Sequence, residues 1–181
     1  MLTPSPTAII LAAGKGARFL ASGASTHKLD TLLHGKTVLQ HVIEAAQASG
    51  LPWHLVRPDG GTPGMGDSVA MGVRATPDAG GWLILPGDLP LITPDTLQRV
   101  AAALTEGHIV VPHYQQQFGH PVGFGRAYFS SLCALSGDTG AREIVREARL
   151  RGKVHDLPLY DRGIVEDIDV LADLQRIINL E

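Results

Sequence analysis

A loop near the start of the sequence combines small residues with positive charges, the two features that suit a phosphate group. It contains Gly14 and Gly16, and the cations Lys15 and Arg18 stand in and beside it. Small side chains let a phosphate reach the main chain, whose N–H groups can donate hydrogen bonds to it, and nearby cations stabilise its charge. These residue types at this spacing predict a cradle for a triphosphate.

Two other glycine-rich motifs do not fit the sequence. A dinucleotide fingerprint needs a third glycine three residues after the second, and Phe19 occupies that position. A P-loop ending in Gly35-Lys36-Thr37 would need a glycine where the chain has Asp30. We therefore interpret Gly35-Lys36 as part of a turn before a helix. A strand-to-helix turn without a ligand remains the alternative for Gly14 and Gly16.

Three aspartates are candidates for holding a divalent cation. Asp88 closely follows the apolar run 82–85, at the C-terminal end of a predicted strand, where open α/β sheets place ligand-binding groups. Mg²⁺ prefers one or two carboxylates together with phosphates and water. Asp167 and Asp169 form a second acidic pair and would share one face of a strand. The alternatives are a turn-stabilising role for Asp88 and a helix-capping role for Asp169.

Other kinds of catalytic or metal site find no support in the sequence. The eight histidines include no pair at i,i+4 spacing, and one cysteine does not favour a structural zinc site. Ser68 and Cys133 lack the local signature of a nucleophile. We therefore expect no covalent catalysis.

The rest of the chain supplies alternating strands and helices that would position these residues. Predicted strands cover 8–11, 53–56, 82–85, 109–111, 121–124, 154–159 and 164–169. Predicted helices run from Thr37 to a stop at Gly50, over 65–74, from Pro94 to a stop at Gly107, and near 126–135, 139–150 and 170–178. This alternation predicts a mostly parallel sheet covered on both faces. We expect one Rossmann-like, three-layer α/β/α domain over residues 1–181.

Composition and charge narrow the function classes. The 181 residues are 44% hydrophobic and 18% charged, as in a folded globular domain. The net charge is −3 and no lysine or arginine run is present, so we expect no nucleic-acid partner. No apolar run reaches the length of a membrane span or signal peptide, and the single cysteine favours a reducing compartment. The expectation is a cytoplasmic protein that acts on small molecules.

Several blocks of the sequence resemble the MobA-like nucleotidyltransferases and, within that group, the molybdenum cofactor cytidylyltransferases. The blocks occur in the family's order between Ile9 and about Leu174: 11–18, 28–29, 35–39, 64–69, 86–90, 119–122, 137–142 and 167–169. The first block is typical of the broad superfamily. The His120-Pro121 and Gly137–Arg142 blocks point to the narrower group.

The resemblance implies a Rossmann-like fold and a role for each block. Arg18 and Lys28 would act on the phosphates, and Asp88 would be catalytic and would hold Mg²⁺ together with Asp169. Residues 137–142 would border the second substrate. The implied binding residues are Leu11, Ala12, Ala13, Gly14, Lys15, Gly16, Gly64, Met65, Gly66 and Ser68 for the nucleotide, with His120 and Pro121 beside the second substrate.

Two departures from the family pattern concern the first block. Leu20-Ala21 follows Arg18-Phe19, where the family commonly has a glycine, and the spacer before Lys28 is long. The role of Lys28 is therefore the part of the resemblance that the structure has to test.

The implied reaction is a Mg²⁺-dependent transfer of CMP from CTP to the phosphate of an acceptor, with release of pyrophosphate. The implied acceptor is molybdopterin or its metal-loaded form, and the product would pass to a molybdoenzyme or its chaperone. Ala13 stands where related guanylyltransferases carry a second glycine, which favours cytosine over a purine. The alternatives are a sugar or alcohol phosphate as acceptor, and a non-catalytic nucleotide-binding chaperone or sensor.

Overall fold

The centre of the molecule is a mixed β-sheet, seen in a computed structural model that describes residues 4–14, 17–24 and 26–179. In chain order the strands are β1 (Thr7–Leu11), β2 (Leu32–Leu33), β3 (Lys36–Thr37), β4 (Trp53–Val56), β5 (Gly81–Pro86), β6 (Ile109–Tyr114), β7 (Gln117–Phe118), β8 (Val122–Gly125) and β9 (Val154–Pro158). The central sheet has seven strands in the order β4–β1–β5–β8–β6–β7, with β9 also paired to β6. Strands β2 and β3 form a separate hairpin.

The helices cover both faces of this sheet. They are α1 (Ala17–Ala21), α2 (Val38–Ser49), α3 (Met65–Arg74), α4 (Pro94–Ala103), α5 (Phe129–Cys133), α6 (Arg142–Leu150) and α7 (Leu171–Ile178). Three 3₁₀ turns accompany them, at Lys28–Asp30, Arg126–Tyr128 and Arg162–Ile164. Over the described residues, none of the helices combines the length and the apolar character needed to cross a bilayer.

Alternate residues of the central strands face two different layers of helices. Ile9 and Ile84 pack in a cluster with residues of α3, α5 and α6. Ile10 and Leu85 pack in a second cluster with residues of α2, α4 and α7. Because successive strand residues point to opposite faces, strands buried on both faces need apolar residues at every position. The three-layer α/β/α architecture predicted from the sequence is confirmed.

The parallel strands end together at one edge of the sheet. In the parallel register, Leu11 of β1 lies opposite Val56 of β4 and Pro86 of β5. The chain segments that leave these three strands therefore emerge side by side. This edge is where an open α/β sheet binds its ligand.

An antiparallel strand brings the second half of the chain to the same edge. Strand β8 lies between β5 and β6 and runs antiparallel to both, with Val122 opposite Ile84. The chain therefore enters β8 from the ligand-binding edge, and His120 and Pro121 stand there. The sheet is mixed rather than uniformly parallel, since β6 pairs in parallel only with β9.

Local capping explains the helix boundaries that sequence predicted. The Thr37 hydroxyl accepts the Gln40 N–H at 3.0 Å where α2 begins, and Gly50 ends that helix with φ of 77°. Thr93 caps α4 in the same way, with a proline next to it. Helix α4 ends at Ala103, before the predicted stop at Gly107, and the predicted helix over 126–135 is divided into a 3₁₀ turn and α5.

The hairpin formed by β2 and β3 shows how Gly35-Lys36, the second glycine-lysine pair of the sequence, is folded. Its turn residues His34 and Gly35 have φ of 52° and 81°. Positive φ at both central residues is typical of a tight two-residue hairpin turn. Gly35 and Lys36 therefore belong to a turn ahead of α2, as predicted, and not to a P-loop.

The predicted strand over 164–169 is wrong. This segment consists of the end of the Arg162–Ile164 turn and irregular backbone. Its main chain binds the loops of the ligand-binding edge instead of a neighbouring strand. The Ile168 N–H donates to the carbonyl of Asp88, and the carbonyl of residue 164 accepts the N–H of His120, both at 3.0 Å.

Candidate active site

A cavity of about 430 Å³ opens at the edge where β1 and β5 end. Its volume is within the range of pockets that hold small molecules. The described residues that line it are Leu11, Ala12, Ala13, Gly14, His27, Lys28, Leu29, Thr62, Pro63, Gly64, Met65, Ser68, Pro86, Gly87, Asp88 and Asp138.

Most of the predicted site residues meet at this cavity. Those that line it are Leu11, Ala12, Ala13, Gly14, Lys28, Gly64, Met65, Ser68 and Asp88. Gly66 is buried behind the wall, and His120 and Pro121 stand at the same edge of the sheet without being among the lining residues. Lys15, Gly16 and the side chain of Arg18 lie outside the described part of the chain.

Asp88 and Lys28 form an ion pair at the floor of the cavity. Lys28 Nζ lies 2.9 Å from Asp88 Oδ2, and the two side chains are only 17% and 18% exposed. The other carboxylate oxygen, Oδ1, is buried and has no hydrogen-bond partner among the described residues. A buried carboxylate oxygen without a partner is costly, so a cationic ligand at this point would be stabilising. Asp88 alone could offer one carboxylate oxygen to a divalent cation, and the described residues contain no group of three or more His, Cys, Asp or Glu side chains placed to hold a metal ion.

Gly87 allows Asp88 to lie beside the segment that follows β1, here called the glycine loop (residues 12–14 of the described chain). The Gly87 N–H donates to the carbonyl of Leu11 at 2.8 Å. A Cβ at this glycine would lie 2.8 Å from the same carbonyl oxygen, closer than real Cβ atoms approach. Any larger residue would push the end of β5 away from the end of β1. The Pro86-Gly87-Asp88 order therefore fixes the carboxylate beside the loop.

The segment that carries Lys28, here called the Lys28 turn (residues 27–30), connects three strand ends. Lys28 binds Asp88 after β5, and Asp30 accepts two hydrogen bonds of 2.9 Å from Arg57 after β4. The long spacer after Arg18 thus returns the chain to the cavity. Lys28, which was predicted on the phosphates, contacts the proposed metal ligand in this structure.

His27 also belongs to this site, although no feature of the sequence indicated it. Its Nε2 lies 2.7 Å from the carbonyl oxygen of Gly14, and its Nδ1 accepts the N–H of Leu29 at 3.1 Å. The imidazole therefore bridges the glycine loop and the Lys28 turn. Sequence reasoning considered histidines as metal ligands, and a contact between loops far apart in sequence gives no local signal.

The opposite wall of the cavity is the start of α3 and the loop packed against it. A Cβ on Gly64 would lie 2.5 Å from the carbonyl oxygen of Gly137, and the Gly66 N–H donates to that oxygen at 2.8 Å. The Asp67 carboxylate accepts the Gly137 N–H at 3.1 Å. These contacts place Asp138, one residue of the 137–142 block, on the cavity wall, and the role of this block beside a second substrate stays a prediction.

Two hydroxyl groups give this wall a polar stretch. The hydroxyl oxygens of Thr62 and Ser68 lie 2.5 Å apart, and both are within hydrogen-bond distance of the Gly64 carbonyl oxygen, at 3.0 and 3.3 Å, so the two hydroxyl protons satisfy two of these three contacts. Ser68 was predicted on the pattern of its block, whereas Thr62 was not. Together they offer hydrogen bonds to a polar ligand.

The negative charge of Asp88 affects the pKa of two more titratable groups, His120 and Asp167. Burial lowers the pKa of His120, and the negative charge of Asp88 opposes that shift. Burial, and then the charge of Asp88, raises the pKa of Asp167, while Lys28 acts in the opposite direction. Both side chains therefore lie within electrostatic reach of the carboxylate at the cavity floor.

Asp169 is not the cap of the last helix, which removes that alternative. Helix α7 has Val170 as its N-cap residue, and the Asp173 carboxylate accepts the N–H groups of Asp169 and Val170 at 2.9 Å each. The metal-binding role of Asp169 stays a prediction.

The α/β fold and the acidic, glycine-rich cavity define a nucleotide-binding class of enzyme. The chain belongs to the family of MobA-like NTP transferase domains, which it matches over residues 8–154. It is therefore a nucleotidyltransferase, as the resemblance implied.

Solved structures share this fold over almost the whole chain. A nucleotidyl transferase from Methanothermobacter thermautotrophicus, Mth528, superimposes with a TM-score of 0.81 at 21% identity over 97% of each chain. Rv0371c from Mycobacterium tuberculosis H37Rv, in a complex with manganese, gives 0.74 at 23% identity over 98% of this chain and 100% of its own. The 4-diphosphocytidyl-2C-methyl-D-erythritol synthase of Anaerococcus prevotii gives 0.72 at 14% identity over 99% of each chain.

Proposed function

We propose that this chain is a Mg²⁺-dependent cytidylyltransferase that transfers CMP from CTP to a phosphorylated acceptor and releases pyrophosphate. The acceptor is molybdopterin or its metal-loaded form. The observation that carries the proposal is the buried Asp88 carboxylate, which has one oxygen on Lys28 and the other without a partner among the described residues.

A carboxylate beside a triphosphate is stable only if a cation lies between them, so metal and nucleotide bind together. Asp88 and Asp169 are the proposed ligands, and the similar protein Rv0371c is known in a manganese complex. When bound, Mg²⁺ neutralises charge on the phosphates.

The chain's own residues bind and orient the two substrates. The glycine loop holds the triphosphate with its N–H groups, and Arg18 adds a positive charge. Lys28 moves from Asp88 to the phosphates when the nucleotide binds, and its ion pair with Asp88 orders the site before that step. The acceptor phosphate attacks the α-phosphorus, and the P–O bond to the pyrophosphate leaving group breaks.

The wall around Ala13 supports the smaller base. Ala13 is buried at 5% exposure, and a Cβ on Gly61 would lie 2.6 Å from its carbonyl oxygen. Gly61 therefore packs closely against the main chain of Ala13, which holds this residue in the cavity wall. Thr62 and Ser68 then offer their hydroxyls to the base, and a similar protein takes its name from a diphosphocytidyl compound.

The second substrate binds between the segments that close the other side of the cavity. His120 and Pro121 stand at the same edge of the sheet, the 137–142 block contributes Asp138 to the cavity wall, and the half-exposed side chain of Met65 packs beside Gly140. An apolar surface suits a planar heterocycle such as a pterin more than a sugar. A molybdoenzyme or its chaperone is the proposed recipient of the product.

A pyrophosphate-release screen tests the proposal. Purified protein is incubated with MgCl₂, each of the four NTPs, and molybdopterin, a sugar phosphate or an alcohol phosphate. We expect pyrophosphate with CTP and molybdopterin. Pyrophosphate release only with a sugar or alcohol phosphate would show that the proposed acceptor is wrong. A preference for GTP would show that the proposed base is wrong. Nucleotide binding without any pyrophosphate release would indicate a sensor instead of an enzyme.

A further inference from the structure

We propose that His27 is a positioning residue, which holds the glycine loop and the Lys28 turn in the arrangement that receives the nucleotide. The proposal rests on the proposed function, since it assigns His27 a part in nucleotide binding. It is carried by the two hydrogen bonds of the imidazole, which join segments 13 residues apart in sequence.

The bonding pattern defines the protonation state of the ring. The Leu29 N–H can only donate, so Nδ1 must accept. The Gly14 carbonyl can only accept, so Nε2 must carry the proton and donate at 2.7 Å. In this arrangement Nδ1 is the acceptor and Nε2 the donor, and both ring nitrogens are occupied by main-chain groups.

The start of the glycine loop needs such a bond because side-chain packing does not hold it. A Cβ placed on Gly14 would meet no atom of the described residues within 4 Å, and Gly14 itself is exposed. Glycine has the widest choice of backbone conformations, so an unrestrained Gly14 would lose much entropy when a phosphate orders the loop. The bond from His27 fixes the direction in which the chain leaves β1 before the nucleotide arrives.

The same residue also starts the turn that places the catalytic lysine. Nδ1 accepts the N–H of Leu29 and so caps the 3₁₀ turn that begins at Lys28. Lys28 in turn reaches Asp88 at 2.9 Å. One imidazole thus sets the distance between the phosphate-binding loop and the ion pair at the cavity floor.

Two substitutions separate these two bonds. His27→Gln puts an amide N–H donor near the position of Nε2 and leaves no acceptor at Nδ1. His27→Asn does the reverse, because its shorter side chain keeps an acceptor for the Leu29 N–H but cannot reach Gly14. If His27 acts only by capping the 3₁₀ turn, His27→Gln should bind the nucleotide less tightly than His27→Asn. If His27 positions the glycine loop, His27→Asn should bind the nucleotide less tightly than His27→Gln.

The test is calorimetric titration of each variant with CTP, GTP, ATP, UTP and inorganic triphosphate in MgCl₂, together with thermal melting. We expect His27→Asn to raise the Kd of the nucleotide that wild type binds by about 3- to 10-fold, the effect of one neutral hydrogen bond. His27→Gln should bind within about twofold of wild type. Its Tm should be lower than that of His27→Asn by about 1–4 °C, because the cap is lost.

His41 supplies the matched control. Its Nε2 also bonds a main-chain carbonyl, that of Leu33 at 2.6 Å, but it does not line the cavity. His41→Asn should lower the Tm and leave every Kd unchanged. Equal nucleotide affinity of wild type and His27→Asn would overturn the positioning role alone. Wild-type protein that binds neither nucleotide nor triphosphate would overturn the proposed function, and this role with it.

Discussion

The ion pairs Lys28–Asp88 and Arg149–Asp156 have similar lengths but different surroundings. Lys28 Nζ lies 2.9 Å from one oxygen of Asp88, in a largely buried pair whose second oxygen has no partner among the described residues. Arg149 binds both oxygens of Asp156, at 2.6 and 2.9 Å, and the two side chains are 40% and 37% exposed. In the buried pair one carboxylate oxygen lacks a hydrogen-bond partner, and burial makes that lack costly. In the exposed pair both carboxylate oxygens have partners, although water could have supplied them.

The difference between the two ion pairs indicates that they serve different purposes, one for stability and one for the proposed function. A bidentate exposed pair joins α6 to β9 and adds little free energy, because water screens it. A buried carboxylate with an unused oxygen is not explained by stability, since burial penalises it. Under the proposed function, the metal ion would supply the missing partner. Substitutions in the two pairs should therefore change different quantities.

The largest expected effect is on catalysis at the buried pair. Asp88→Asn keeps the shape of the side chain and removes its charge, so the cation loses its main ligand. We expect kcat to fall by about 100-fold or more, the scale of lost electrostatic stabilisation in an active site, while the circular dichroism spectrum stays that of wild type. The measurement is kcat across a magnesium series. Turnover equal to wild type would make Asp88 a turn residue.

Gly87 tests whether the site depends on the close approach of β5 to the loop. Gly87→Ala brings a Cβ to 2.8 Å from the Leu11 carbonyl oxygen and 3.1 Å from a methyl group of Leu39. The free energy of unfolding should fall by about 1–3 kcal/mol, and nucleotide binding should weaken. Gly107→Ala is the control, because a Cβ there meets nothing within 4 Å and the glycine needs no positive φ. Urea titration of both variants measures the difference, and equal losses would contradict the argument.

The second carboxylate of the proposed metal site should have a smaller effect. Asp169→Asn should raise the magnesium concentration for half-maximal rate by about 10-fold, since water can replace one carboxylate on Mg²⁺. Asp167→Asn is the matched comparison, because burial, and then the negative charge of Asp88, raises the pKa of Asp167, so the two carboxylates lie within electrostatic reach of each other. A larger magnesium effect from Asp167→Asn than from Asp169→Asn would transfer the ligand role to Asp167.

The sequence predicted the parts of the molecule whose determinants are local. The apolar run of β1, the Thr37 and Gly50 caps of α2, and the carboxylate after β5 all have their signals within a few residues. The segment 164–169 does not, because its hydrogen-bond partners are the loops of Asp88 and His120, far away in the chain. An alternating pattern of apolar and polar residues looks the same in a strand and in an irregular segment with one buried side.

The candidate site likewise contains some residues with local sequence signals and others without them. The glycine loop and Asp88 carry recognisable residue types at fixed spacings, so their positions were predicted. His27 and Thr62 act through contacts across 13 residues and 6 residues respectively, which depend on how the intervening loops fold back. The predicted end of α3 near Arg74 was correct, yet only the structure shows that the first turn of this helix packs against Gly137.

The smallest expected effect belongs to the exposed pair and depends on pH. The hydrogen bond from Arg149 lowers the pKa of Asp156, and burial opposes the shift. A carboxyl group with a lowered folded-state pKa stabilises the protein above its unfolded pKa, and this contribution is lost as the pH falls through the folded value. Asp156→Asn should therefore lower the free energy of unfolding at pH 7 by about 0.2–1 kcal/mol, discounted for solvent screening.

That loss should shrink as the pH falls below the ordinary carboxyl pKa of 3.8, and it should disappear once the pH passes the lowered pKa of Asp156 in the folded protein, where the carboxyl group is protonated. Melting curves of wild type and Asp156→Asn at pH 7 and at pH 3 measure it, with 0.5 M NaCl at pH 7 as a second way to weaken the pair. NTP turnover should be the same in both proteins, because Asp156 lies outside the residues that line the cavity. A Tm difference that persists unchanged at pH 3 would mean that packing, and not the ion pair, supplies the stability.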